Sequence, residues 1–127
     1  MRRGFKFEAE LSRLSKYLNA NGIHMHKNHY KVLSGGILHC FDAKECAGRR
    51  WSLKNAKLSQ LNNMLVYQKN GAQAYFLVWY RNINAIIRYD AELIKQKLAE
   101  GVKSVTPKEG VKWEWTELGT SRTSTAS

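Results

Sequence analysis

The stretch Ile37–Cys46 reads Ile-Leu-His-Cys-Phe-Asp-Ala-Lys-Glu-Cys, and the reading of this chain turns on it. Before it, residues 23–33 alternate apolar and polar side chains, and Ser34-Gly35-Gly36 interrupts the pattern. Two extended runs separated by glycines predict a β-hairpin with its turn at Gly35-Gly36. Residues two apart on a strand point to the same face, so the second run sets the Asp42 carboxylate beside the Lys44 ammonium.

That pairing has a chemical use. Hydrolysis of a phosphodiester is helped by a hard cation that withdraws charge from the phosphate and acidifies a water, and a carboxylate is the ligand such a cation prefers. A lysine on the same face orients the water or stabilises the charge that builds on the phosphate. Asp-x-Lys alone is weak, because an ion pair across a strand face needs no function.

Working outward, Phe7, Leu11, Leu14 and Leu18 recur at spacings of four, three and four, which predicts an amphipathic helix over 5–20 ended by Asn21-Gly22, with Glu8 beside its apolar face. After Ile37–Cys46 comes a basic loop, Ala47-Gly48-Arg49-Arg50, and then a helix with Leu58, Leu61, Met64 and Leu65 on one side. Asn55 is its expected N-cap, and Asn70-Gly71 its stop. The continuous apolar run 74–80 predicts a buried strand, Arg81-Asn82 a turn, and 83–89 a second strand. Asp90 is expected to cap a helix through Leu98, ended by Gly101. Residues 111–118 alternate as a short edge strand carrying Trp113 and Trp115, and the Ser/Thr-rich 119–127 is expected to be a disordered tail. The order is α, β-hairpin, α, β, β, α in one domain over 1–118.

The 127 residues carry 21 Lys plus Arg against 10 Asp plus Glu, a net charge of +11, which points to a polyanionic partner. No acidic residue lies between Glu45 and Asp90, whereas Arg49, Arg50, Lys54, Lys57, Lys69, Arg81 and Arg88 do. A phosphate-facing surface is expected there, with Lys27 and Lys31 joining the same groove. Cys40 and Cys46 are too few for a disulfide framework and lack zinc-ligand spacing, so reduced thiols and a cytoplasmic setting are expected. No apolar run is long enough for a membrane span, and the Met1-Arg2-Arg3 start leads into an amphipathic segment rather than a signal sequence. Aromatic residues in the apolar runs, Tyr75, Phe76, Trp79 and Tyr80, are expected in the core; Trp51, next to Arg49-Arg50, is expected exposed and free to stack on bases. His24, His26 and His39 are expected to be structural or surface residues.

Phe41-Asp42-Ala43-Lys44-Glu45 resembles the Phe-Glu-Ala-Lys-Glu signature of the RecU-type Holliday junction resolvases, within the PD-(D/E)XK nuclease superfamily. The likeness continues in residues 52–64, where Leu53, Asn55, Gln60 and Met64 match that family's next helix entry, and in residues 71–78, similar to its glycine turn and buried strand. Gly4-Phe5-Lys6-Phe7-Glu8 resembles its opening helix, and His26-Lys27 also has a counterpart, so the likeness spans residues 4–118 with gaps. The resemblance implies an α/β, restriction-endonuclease-like (PD-(D/E)XK) fold, a mixed central sheet flanked by helices. It implies metal-dependent cleavage of branched DNA by a homodimer, with Mg²⁺ or Mn²⁺ held by Asp42, Glu8 and the Ala43 carbonyl, Lys44 beside the attacking water, and Gln60 facing the cleft. Arg49, Arg50, Lys54, Lys57, Lys27 and Lys31 are its expected DNA contacts. The chain would then act in the cytoplasm at the nucleoid, and its shortness suggests a phage version.

The chain departs from that family in two places. The segment between opening helix and hairpin is short, so the protruding stalk that engages a junction is missing or reduced. Where the family carries an aspartate about thirteen residues before the motif acid, His29 stands, and no Asp or Glu lies between Glu10 and Asp42. Either His29 is itself a ligand, which imidazole favours for Mn²⁺ over Mg²⁺, or Asp42, Glu8, the Ala43 carbonyl and water hold the cation without it, or the site binds DNA without cutting. A sequence-specific or mismatch-type endonuclease and a catalytically degenerate DNA-binding module are the alternative functions.

Overall fold

A computed structural model describes residues 24–26 and 29–114, with side chains from His29 onward. The expected opening helix, Glu8, Lys27, Trp115 and the tail lie outside the described residues.

Six strands form one mixed sheet in the order β1-β2-β3-β5-β6-β8. These are β1 (His24–His26), β2 (His29–Ser34), β3 (Ile37–Cys46), β5 (Gln73–Tyr80), β6 (Ala85–Asp90) and β8 (Val111–Trp113). A two-stranded ribbon joins β4 (Trp51–Ser52) to β7 (Ser104–Val105). Two α-helices are described, α1 (Leu58–Lys69) and α2 (Ala91–Ala99). The hairpin is formed as expected: Ser34 pairs with Ile37 across Gly35 and Gly36, whose φ angles of 60° and 81° are the positive values a two-residue hairpin turn of the primed type requires.

β3 and β5 run parallel, which needs a crossover, and α1 lies on it. Alternate residues of these strands serve two cores. Cys40, Cys46, Phe76, Val78 and Tyr80 pack with Leu61 and Met64 of α1 and Ile94 of α2. Tyr30, Val32, Phe41, Ala43, Tyr75, Leu77 and Trp113 form the second cluster on the other face. Burial on both faces explains why 74–80 reads as a continuous apolar run.

Within the second cluster Tyr30, Phe41 and Tyr75 stack across three strands, with ring centroids 5.0 and 5.5 Å apart. Each pair contributes about 0.5–1.5 kcal/mol beyond area burial. The column also fixes register, because slipping β2 by one residue would turn Tyr30 and Val32 out of their core. With Tyr30 opposite Phe41, His29 must stand opposite Asp42.

Three local expectations are corrected. Asn55 is not the N-cap of α1: it closes a 3-10 turn over Leu53–Asn55 capped by Ser52, whose hydroxyl accepts from the Lys54 N–H at 3.3 Å, and α1 begins at Leu58 behind Lys57. Trp51 is not exposed: only 1% of it is accessible, and its ring packs on Phe76 and Tyr89 at 5.5 and 6.2 Å. Pairing of β4 with β7 turns Trp51 inward while the adjoining arginines stay in solvent. Asp90 does precede α2, but its carboxylate takes the Arg88 guanidinium at 2.8 Å instead of capping the helix.

Candidate active site

Asp42 is completely buried near the middle of β3, on the face that carries α1. Lys44, two residues on, places its Nζ 3.0 Å from Asp42 Oδ2. His29, delivered by the register of β2, places Nδ1 3.4 Å from Asp42 Oδ1. Neither approach is aligned as a hydrogen bond, so both carboxylate oxygens are buried without a hydrogen-bond partner. Taking a carboxylate out of water costs on the order of several kcal/mol unless it is well paired.

Gln60, in the first turn of α1, brings its amide Nε2 to hydrogen-bond distance of His29 Nδ1. A helix side chain thereby fixes the imidazole of a neighbouring strand. Asp42, Lys44, His29 and Gln60 are thus brought together as a linked group. The Ala43 side chain points into the opposite core.

The expected DNA contacts divide between two places. Lys31 and Lys57 line a cleft of about 910 Å³ between β2 and α1, whose walls also include His29, Gln60, Asn63 and Tyr67. Lys31 lies on β2 two residues past His29, and its ammonium donates to the Tyr67 hydroxyl at 2.6 Å while standing 4.6 Å from that ring's centroid. Arg49, Arg50 and Lys54 are exposed beyond the other end of β3, about 13 Å or more along the strand from Asp42. Lys31 and the arginines therefore do not share one local groove. Arg50 is tied down, donating from Nε to the Ser104 hydroxyl at 2.7 Å. Arg81 is engaged by Glu45 at 3.4 Å, and Arg88 lies over Tyr75 while paired with Asp90.

Asn63 and Tyr67 were not singled out from the sequence. With Gln60 they fall at i, i+3 and i+7, one face of a helix, and that spacing was the available signal. Cys40 and Cys46 are free and buried on β3. Burial pushes the Cys40 thiol up, against a smaller opposing pull from Lys31. His39 is held below the usual imidazole range, first by burial and then by Arg88, and its Nδ1 lies 2.9 Å from the Tyr75 hydroxyl. It faces away from Asp42.

Among the described residues no three His, Cys, Asp or Glu side chains gather as a metal cluster. The donor chemistry nevertheless suits a divalent cation: two buried carboxylate oxygens lacking hydrogen bonds, with the His29 Nδ1, which meets the Gln60 amide, 3.4 Å from one of them.

These features define a mixed α/β protein with a buried carboxylate–lysine pair and, bordering it through His29, a basic cleft. A family model described as Recombination protein U (RecU) matches residues 26–124, and the chain belongs to that family. Membership implies Holliday junction resolvase activity and binding to branched DNA. No curated protein matches the chain. Among the described residues no helix is long and apolar enough to cross a membrane.

Proposed function

We propose that this chain is a metal-dependent Holliday junction resolvase with a PD-(D/E)XK nuclease fold, formed by residues 1–118 and acting in the cytoplasm as a homodimer. The observation that carries the reading is the fully buried Asp42, whose carboxylate has the Lys44 ammonium at 3.0 Å, the His29 imidazole at 3.4 Å and no hydrogen bond on either oxygen. A structural ion pair gains nothing from being left in that state; a carboxylate poised for a cation does.

Asp42 and His29 are the side chains that would hold the cation, with Glu8 and the Ala43 carbonyl as further oxygen donors. When bound, a divalent cation supplies positive charge at the scissile phosphate and acidifies a water. Lys44 keeps its ammonium at the edge of the site, where it orients that water and stabilises negative charge on the phosphate oxygens. Gln60 holds the His29 ring toward Asp42 and would release Nδ1 when a cation takes it. One imidazole in place of an acid lowers the negative charge of the donor set and favours Mn²⁺ over Mg²⁺. A dimer is expected because two symmetric nicks require two identical sites related by a two-fold axis.

The test is a nicking assay on a four-way junction and on linear duplex with Mg²⁺ or Mn²⁺, using wild type, Asp42→Ala, Lys44→Ala and His29→Asp. Wild type should nick the junction best with Mn²⁺, the two alanine variants should not, and His29→Asp should gain Mg²⁺ activity. No cleavage by wild type with either metal refutes the nuclease reading and leaves a DNA-binding module.

A further inference from the structure

The cleft between β2 and α1 is larger and chemically more varied than a phosphate contact needs. Its floor is apolar, with Met64 and Cys40 buried. One wall carries the Tyr67 ring, Asn63 supplies an exposed amide, and Lys31 and Lys57 supply the charge. No acidic side chain is among the described residues lining it. At one end stand His29 and Gln60, the former 3.4 Å from Asp42, so a chain lying in the cleft ends beside the imidazole that borders the buried carboxylate.

An aromatic face beside lysines and a hydrogen-bonding amide is the combination that binds single-stranded nucleic acid. Bases stack on the ring, the amide meets a base edge, and ammonium groups meet phosphates. The cavity of about 910 Å³ falls within the range of pockets that enclose a whole small molecule. A base inside a duplex is stacked on both sides and costs about a few kcal/mol to extrude; one at a branch point is already partly unstacked and is extruded at lower cost.

Resting on the nuclease reading, we propose that this cleft receives one unstacked nucleotide of the DNA, its base on Tyr67 and Met64 with its edge at Asn63, and its phosphates on Lys31 and Lys57. Entry exchanges the contact of the Lys31 ammonium with the Tyr67 ring, 4.6 Å from its centroid, for base stacking, and frees the ammonium for phosphate. The adjoining phosphate is thereby brought to the His29 end of the cleft, next to the Asp42–Lys44 pair. Preference for branched over linear DNA then comes from a pocket that only an unpaired base fills, and does not depend on a protruding stalk.

Photochemical cross-linking tests this. A four-way junction and a linear duplex of the same sequence, each carrying 5-iododeoxyuridine at the branch-point position, are irradiated with Asp42→Asn protein in EDTA, and the cross-linked peptide is mapped by mass spectrometry. The adduct should fall on Tyr67, with about tenfold greater yield on the junction. In the same background Tyr67→Phe should keep the yield, Tyr67→Leu lower it about tenfold and Asn63→Ala about threefold. An adduct outside the cleft, equal yields on junction and duplex, no adduct, or an unchanged yield in Tyr67→Leu overturns the proposal. Because the experiment contains no metal and no cleavage, its outcome is separate from the nicking assay: wild type that nicks without this cross-link refutes the pocket alone, and a cross-link on Tyr67 without nicking refutes the nuclease reading alone.

Discussion

Removing either partner of the Asp42–Lys44 pair should have unequal effects on stability. The charges stand 3.0 Å apart, Asp42 is fully buried, and the Lys44 side chain keeps 22% of its surface in solvent. At an effective dielectric constant of about 20 the gross attraction is about 5–6 kcal/mol, most of it offset by the cost of desolvating the carboxylate. Asp42→Asn removes that cost along with the attraction, keeps the shape, and leaves an ammonium that can turn to water, so stability should change by less than about 1 kcal/mol. Lys44→Met leaves the carboxylate buried with only His29 at 3.4 Å. The loss should be about 3 kcal/mol, the lower end of the range for a broken buried pair. For a chain of this size that is about 10–15 °C in Tm, against less than about 5 °C for Asp42→Asn. Urea denaturation and thermal melts of the two variants and of Asp42→Asn/Lys44→Met measure this, and the double variant should recover most of the Lys44→Met loss. If Asp42→Asn costs as much as Lys44→Met, the carboxylate is a stabilising partner and the argument for a poised ligand fails.

Other parts of the fold make further predictions. A Cβ at Gly110 would lie 2.5 Å from Ile87 Cγ2 and 2.6 Å from the Arg88 carbonyl oxygen, so Gly110→Ala must push β6 away and should cost about 1–3 kcal/mol in urea denaturation. Glu109 is pushed down to about 2, first by the Lys97 ammonium and then by the Thr106 backbone N–H, from an ordinary 4.5. Because the folded value is the lower one, its contribution is present above pH 4.5 and is lost as pH falls from there through about 2; Glu109→Gln should flatten Tm against pH in that window. Lys31→Ala and Lys57→Ala should each reduce the slope of log affinity for DNA against log salt by about 0.9, whereas Arg81→Ala, already paired with Glu45, should leave it unchanged.

The hairpin and the Asp42–Lys44 pair were legible because local signals agree: Gly35-Gly36 marks the turn, alternation marks the strands, and the two-residue period places Asp42 beside Lys44. His29 could be located by counting back along the chain, and the strand register puts it directly opposite Asp42. Its bond to Gln60 was hidden, because nothing local says that the first turn of α1 lies over β2. The β4–β7 ribbon was illegible for a different reason: strands of two residues have no period to read. Trp51 suffered from the same cause, since its neighbours Arg50 and Ser52 argue for solvent and only the distant Val105 reveals the burial. Net charge spoke for the whole surface. It could not say that Arg81 and Arg88 are occupied by neighbouring acids while Lys31 and Lys57 face the cleft.

The placement of β3 between β2 and β5 has a consequence for how the molecule is made. Its pairing with β2 closes through a two-residue turn, an event of microseconds, whereas the contact of His39 with Gln73 must wait for the crossover to be closed. During synthesis the hairpin is therefore able to pair first, as a ribbon with the β5 side of β3 open. That open side is a row of unpaired backbone groups able to capture another chain. Any product ending before Gln73 is left with a sticky edge at the strand that carries Asp42.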